Sequence, residues 1–200
     1  GSRVLVQRTI FDSFMAKVNA AFLALRVGTP QQDPDLGPVI NTRQRERVLR
    51  YIQENREAGV PVMASTPLPA SLPAEGQFVP PTVFGPVDPQ SRLAQEEVFG
   101  PVMAVLDFEA EDEVVARAND TEFGLAAGVF TADLTRAHRV IARLEAGTCW
   151  INAYNLTPVE GPFGGSKMSG VGRENGRAAV EHYTQVKSVY VGMGPVDAPY

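Results

Sequence analysis

Two hundred residues suffice for one domain with a substantial core, and 44% hydrophobic with 20% charged residues marks a globular chain, not a disordered one. A formal net charge of −5, with no Lys/Arg cluster, argues against nucleic acid and anionic membranes as partners. No apolar run approaches the roughly 20 residues of a membrane span.

In chain order, Arg3 to Arg8 alternates as a strand. A helix follows, with Phe11, Phe14, Met15, Val18, Phe22 and Leu25 at helical spacing and Asp12 or Thr9 as its cap. Gly28-Thr29-Pro30 ends it. Asn41 or Thr42 caps a second helix with Val48, Leu49 and Ile52 on its apolar face, ending near Gly59. Val60 to Ala64 reads as a short strand, 65–76 as a Pro-rich loop, and Phe78 to Phe84 as extended. Val102 to Phe108 is a strand and Asp112 to Ala118 a helix. Ala126 to Phe130 is a strand. Asp133 caps a helix carrying Leu134, Ala137, Val140, Ile141 and Leu144, stopped by Gly147. Thr148 to Ile151 is a strand. A Gly-rich segment, 161–176, leads to a helix near Arg177–Tyr183, and Gln185 to Val191 alternates as a final strand. Strands alternating with helices predict an α/β fold with a largely parallel sheet.

The single cysteine, Cys149, excludes an internal disulfide framework and fits a reducing, cytoplasmic compartment. Gly1 to Val6 holds no apolar run of the signal-peptide kind. Two histidines, His138 and His182, are too few for a His-rich metal site, and no metal is expected. His138, among Arg136, Arg139 and Arg143, is expected on a solvated face.

Three segments are candidates for chemistry. In Gln95-Glu96-Glu97-Val98-Phe99-Gly100-Pro101-Val102, two adjacent carboxylates precede an aromatic-Gly-Pro turn. Extended backbone sends successive side chains to opposite sides, so one glutamate can face solvent while the other faces a pocket. An inward carboxylate can accept two hydroxyl hydrogen bonds, as a ribose diol offers, with Phe99 packing on a ring face. The plainer alternative is a surface acidic pair before a turn. Gly161 to Gly176 holds six glycines. Its Gly170-Val171-Gly172 departs from the dinucleotide fingerprint because Asn175 stands where the third glycine belongs. Gly164-Gly165-Ser166-Lys167 departs from a phosphate loop because the serine precedes the lysine. Cys149, between Thr148 and Trp150 in a strand, has no neighbour in sequence to activate a thiolate and reads as a buried small hydrophobe.

Gly1-Ser2-Arg3-Val4, Leu36-Gly37-Pro38, Pro81-Thr82-Val83, Glu96 through Val102, Asn119 with Glu122-Phe123-Gly124-Leu125, Gly147 with Trp150-Ile151-Asn152, and Pro162-Phe163-Gly164-Gly165 through Gly172-Arg173-Glu174 resemble the aldehyde dehydrogenase superfamily. The resemblance covers nearly the whole chain. Tyr154 to Glu160 followed by Pro162-Phe163-Gly164-Gly165 looks most like the branch acting on betaine aldehyde, trimethylaminobutyraldehyde and related aminoaldehydes. It implies a catalytic-domain-like α/β fold, a mostly parallel sheet flanked by helices, with a C-terminal oligomerisation strand. Residues 1–184 then correspond to the catalytic domain after its nucleophile, and 185–200 to the oligomerisation strand and tail. The dinucleotide-binding domain, the nucleophilic cysteine, the general-base glutamate and the oxyanion asparagine are expected upstream of Gly1. The isolated chain is therefore expected to be inactive alone and to need the N-terminal half of the same protein.

The family's reaction is covalent: a cysteine thiolate attacks the aldehyde, hydride passes to the nicotinamide, and water releases the acid. Carried over residue by residue, the resemblance implies that Glu97 binds the nicotinamide ribose of NAD, with NADP as the alternative. Phe99 lies beside it, and Gln44 reaches a cofactor ribose. Arg47 falls where many relatives have a lysine nearby. Phe163, Tyr154 and Glu160 line the aldehyde tunnel. Cys149 matches a strand position other than the nucleophile. Val186 to Val191 matches a strand that joins a neighbouring subunit's sheet, so a homo-oligomer is expected. Departures are the Pro-rich loop where paired glycines are usual, Gly161 where the branch has a larger apolar residue, and Ser166 where an aromatic is common. The competing reading is a non-catalytic interaction module.

Overall fold

The structure is a computed structural model that describes residues 1–195. Strand β1 (Arg3–Gln7) passes through a 3₁₀ turn into α1 (Phe11–Ala24). Ile10 stands at the helix start with no side-chain cap, so neither Thr9 nor Asp12 caps it; Asp12 lies in the first turn, where its charge favours the helix dipole. Helix α2 (Thr42–Glu57) is capped as expected by Asn41, whose side chain accepts from the Gln44 amide at 2.9 Å. There follow β2 (Val62–Ser65), β3 (Thr82–Phe84), a single turn of helix α3 (Arg92–Gln95), β4 (Val102–Phe108) and α4 (Glu111–Asn119). The last part holds β5 (Phe123–Gly124), β6 (Ala126–Val129), α5 (Leu134–Ile141), β7 (Thr148–Ile151), β8 (Ser166–Lys167) and a 3₁₀ helix at Arg177–Tyr183.

The main sheet has the order β1-β4-β3-β2. β1 and β3 both run parallel to β4, and β2 closes the other edge antiparallel. Its period-two pattern sends alternate residues to two cores. From β4, Val102, Ala104 and Leu106 meet Val48, Tyr51 and Ile52 of α2 and Leu93 and Ala94 of α3. On the other face Val105, with Val83 of β3 and Val6 of β1, meets Met15 of α1. Phe84 and Leu106 are fully enclosed, and burying such side chains stabilises the fold by about 1.5–3 kcal/mol each. Ser65, expected in the loop, ends β2; 66–76 hold no helix or strand, but the first of them is anchored: the Thr66 hydroxyl donates to Phe22 O at 2.5 Å.

A second part is built on the parallel pair β6–β7, covered by α5 through Ala137 and Val140, and on the short antiparallel pair β5–β8. Asp133 caps α5 as expected, but the helix ends at Ile141, before Leu144. Arg139 and Arg143 join it to Glu111 and Asp112 of α4. Asn119 ties the end of α4 to the turn before β7, donating to Arg143 O and accepting from Glu145 N. Among the described residues the strands thus divide among three sheets instead of one, with three of the five pairings parallel.

The expected final strand, whose partner would be a neighbouring subunit, does not form within this chain. Residues 185–191 form no strand, because among the described residues no strand lies beside them to share a hydrogen-bond ladder. Val186, Val189, Tyr190 and Val191 are instead 71–101% exposed. The end of the predicted tail, 196–200, lies outside the described residues.

Candidate functional site

One face of α2 reads the turn between α3 and β4 residue by residue. Gln44, Arg47, Val48 and Tyr51 recur at helical spacing and so share a face. The Tyr51 hydroxyl bonds the Glu96 carboxylate. Arg47 Nη2 donates to Glu97 O at 2.8 Å. Gln44 Nε2 donates to Val98 O at 2.9 Å and Phe99 O at 2.8 Å. Val48 packs against Gly100, where an added Cβ would lie 2.5 Å from Val48 Cγ2. Every carbonyl from Glu97 to Phe99 is therefore held by a side chain of one helix.

With the backbone fixed, alternation does the rest. Val98 is buried in the core, while Glu97 and Phe99 point out. Phe99 is 73% exposed and takes a left-handed φ of 57°, a conformation that costs an aromatic residue about 1–3 kcal/mol and is held here by the bonds to carbonyls 97–99. Among the described residues the Glu97 carboxylate has no hydrogen-bond or ion-pair partner.

The neighbouring carboxylate is fully engaged. Arg92 grips Glu96 in bidentate fashion, Nε to Oε1 at 2.8 Å and Nη2 to Oε2 at 3.1 Å. Hydrogen bonds from Arg92 and then Tyr51 hold the Glu96 carboxyl down to about 2. Burial, and next the bond to Glu96, push the Tyr51 hydroxyl up. Glu96 is thus no idle surface charge, as the plainer reading had it. One glutamate is committed to the scaffold and the other is free to accept donors from outside.

The register places this turn beside the start of the chain. Arg3 pairs with Ala104 in parallel, and Ala104 N donates to Ser2 O at 2.8 Å, so Gly1 and the residues leading into β4 reach the same edge of the sheet. Tyr154 arrives there from the other part of the molecule. A Cβ on Gly1 would lie 2.7 Å from the Tyr154 hydroxyl oxygen. Tyr154 stacks on Trp150 with ring centroids 5.0 Å apart, and Trp150 Nε1 donates to Leu156 O at 2.8 Å, which sets the path of the 154–160 loop. Phe163, half-buried, forms a two-bond bridge with Glu174. Glu160 is exposed, and its loop is tied to the same Gly-rich segment by Gly176 N donating to Val159 O at 2.8 Å. Gln44, Glu97 and Phe99 thus form one hydrogen-bonded group. Tyr154, Glu160 and Phe163 lie on or beside the 154–160 loop and the Gly-rich segment tied to it, and among the described residues no hydrogen bond joins them to the first group.

Burial pushes the Cys149 thiol up, which favours the inert protonated form. His138 is exposed on α5. No cluster of His, Cys, Asp and Glu suited to a metal occurs among the described residues. Two open hollows, one lined by Gln7, Arg8, Thr9 and Glu109 and one around Arg26 and Gln32, contain none of the site residues.

Against known families, the model described as "Aldehyde dehydrogenase family" matches residues 1–189. The chain belongs to the aldehyde dehydrogenase family. It is 63% identical to a betaine aldehyde dehydrogenase of Cereibacter sphaeroides, over the whole of this chain and 41% of that protein. The chain thus spans about two-fifths of the length of the curated relatives it matches. Among solved structures, the NAD+ complex of a Bacillus cereus aldehyde dehydrogenase superposes with a TM-score of 0.89 at 41% identity, covering 97% of this chain and 39% of that one. A Staphylococcus aureus betaine aldehyde dehydrogenase in complex with NAD+ gives 0.86 at 38% identity, covering 92% and 37%. The aldehyde dehydrogenase fold expected from the motifs is the fold observed.

Sequence reasoning missed Tyr51 and Arg92 and left Arg47 without a role. The signal was present: Arg92 and Glu96 stand four apart, and 44, 47, 48 and 51 share one helical face. What sequence could not supply was the partner of that face, which lies about fifty residues away.

Proposed function

We propose that this chain forms part of an NAD-dependent aldehyde dehydrogenase that oxidises betaine aldehyde or a related aminoaldehyde: aldehyde, NAD and water give carboxylic acid, NADH and a proton. The observation that carries the reading is the free, outward Glu97 carboxylate on a turn immobilised by α2. Two carboxylate oxygens without partners among the described residues suit the two hydroxyls of a ribose, and the exposed Phe99 ring beside them offers an apolar face. The bound cofactor would supply the hydride acceptor. Glu97 holds its ribose, Arg47 fixes the Glu97 carbonyl, and Gln44 fixes those of Val98 and Phe99. Gln44, expected to reach a cofactor ribose, gives its amide protons to Val98 O and Phe99 O, so part of its contribution to the cofactor runs through the turn that carries Glu97 and Phe99.

Tyr154, Phe163 and Glu160 are proposed as wall of the aldehyde tunnel. An aromatic ring and a carboxylate both favour a quaternary ammonium substrate, and the names of the most similar relatives point the same way. The nucleophile and general base are proposed to be supplied by sequence preceding Gly1, and Tyr154 lies against that end of the chain. The exposed segment 185–195 is proposed to join the sheet of another subunit in a homo-oligomer. A cytoplasmic location, in keeping with the single cysteine, belongs to the same reading.

The test compares NADH formation from betaine aldehyde and NAD by the 200-residue chain and by the protein with preceding sequence included, with NADP in parallel. Turnover by the longer protein alone is the expected result. Turnover by the short chain well above buffer would overturn the placement of the nucleophile and make Cys149 the residue to replace with serine.

A further inference from the structure

We infer that Glu96, Tyr51 and Arg92 are positioning residues for Glu97, holding the 96–99 turn in the backbone setting that presents the Glu97 carboxylate to a ribose while touching no cofactor themselves. The inference rests on the reading of Glu97 given above and extends it to groups that lie behind the turn. Two consecutive carboxylates have opposite fates here, and the difference is made entirely at Glu96. Its Oε1 takes Arg92 Nε, and its Oε2 takes both Arg92 Nη2 and the Tyr51 hydroxyl. Arg92 reaches back to α2 through Glu54 at 3.1 Å. The Tyr51 ring is flanked by two guanidinium groups, Arg92 at 5.1 Å and Arg47 at 5.3 Å from its centroid.

The geometry fixes both ends of the turn. Glu96 is the first residue past α3 and is tied to the start of that helix and to α2; Val98 and Phe99 are tied to Gln44. Between them Glu97 has one backbone anchor, Arg47, and a side chain with no partner among the described residues. If the Glu96 side chain were released, the turn would lose its side-chain tie on the α3 side, and Arg47 with the Gln44 bonds beyond it would have to resist rotation about 96–97, which exchanges the faces of adjacent side chains. The same grip neutralises one of two adjacent negative charges, so the site offers one carboxylate and not a repelling pair.

The test uses the protein with its preceding sequence and reads NAD binding by titration calorimetry, alongside KM for NAD, KM for aldehyde, kcat and thermal melting. Variants are Glu96→Gln, Tyr51→Phe, their double, and Glu97→Gln. Glu96→Gln and Tyr51→Phe are each expected to raise the Kd and KM for NAD roughly tenfold, the effect of losing about one charge-assisted hydrogen bond, with the aldehyde KM within about twofold. The double should bind about as weakly as the weaker single, since both break one device. Should Glu96→Gln not fold, Tyr51→Phe carries the measurement. NAD affinity unchanged in the folded variants, with Glu97→Gln weakened, overturns the positioning role and leaves the ribose reading standing. NAD affinity unchanged in Glu97→Gln overturns the ribose reading and this inference together.

Discussion

At Phe99 the backbone turns through a left-handed conformation, and the next residue is the glycine on which the turn rests. Gly100 lies against Val48, with room for a hydrogen and not for a methyl: an added Cβ would meet Cγ2 at 2.5 Å and Cγ1 at 3.2 Å. Val48 cannot retreat, because it is fully enclosed between α2 and β4. Gly100→Ala should therefore destabilise the protein by about 1–3 kcal/mol, seen as a lower urea midpoint. An unchanged midpoint would show that α2 and the turn can separate without cost. The turn was legible as a motif from Glu96-Glu97-Val98-Phe99-Gly100-Pro101, but the reason for its glycine was not. That reason is a valine more than fifty positions away, and a contact of that kind leaves no local trace in sequence.

Among the elements, those with strong periodicity matched expectation. Val102–Phe108 and Thr148–Ile151 are strands with the predicted bounds, and α2 starts at the predicted Asn41 cap. Alternation and capping are local physics, so sequence displays them. The one-turn helix α3 was not foreseen, since four residues give no period to read. At 185–191 the alternation is not matched by pairing within this chain, because alternation predicts which faces a strand would have and not where its partner lies. Between α2 and α3 lies the Glu96 network, whose strength depends on ionisation. Its carboxyl is held at about 2 against an ordinary 4.5. A carboxylate with a depressed folded-state pKa contributes stability that is complete above about pH 4.5 and is lost as pH falls toward 2. Glu96 is partly exposed, so solvent screening reduces the contribution. Wild type should exceed Glu96→Gln in urea midpoint at about pH 6, and the gap should close near pH 2. Glu111 and Glu113 are also held below their ordinary range, mainly by hydrogen bonds from Arg139 and from the backbone amides at 109 and 110. Their loss in acid is common to both proteins and cancels in the difference. A gap independent of pH would place the benefit of Glu96 in packing and not in charge.

Over the whole molecule, apolar surface lies open in the last third of the chain. Val171, Val186, Tyr190 and Met193 are 93–103% exposed, far more than scattered surface apolar residues require. The 200-residue chain alone should bind a hydrophobic dye and elute above its monomer size in size-exclusion chromatography. In the protein with preceding sequence, deleting 185–195 should lower the oligomeric state while leaving the main-sheet cores intact, because those residues contribute nothing to either core. An unaltered assembly after the deletion would remove the subunit-contact role of this segment.

The parallel pairing of β1 with β4 also sets a timetable. Arg3 finds Ala104 only after about a hundred intervening residues exist, and bringing such distant ends together carries a large entropy cost before any contact rewards it. At roughly 5–20 residues per second on the ribosome, β1 waits about 5–20 s for its partner. Throughout that interval its apolar Val4, Leu5 and Val6 are without the strand that buries them. Any chain released before β4 is made therefore leaves the ribosome with an open strand edge, a substrate for chaperones or for aggregation.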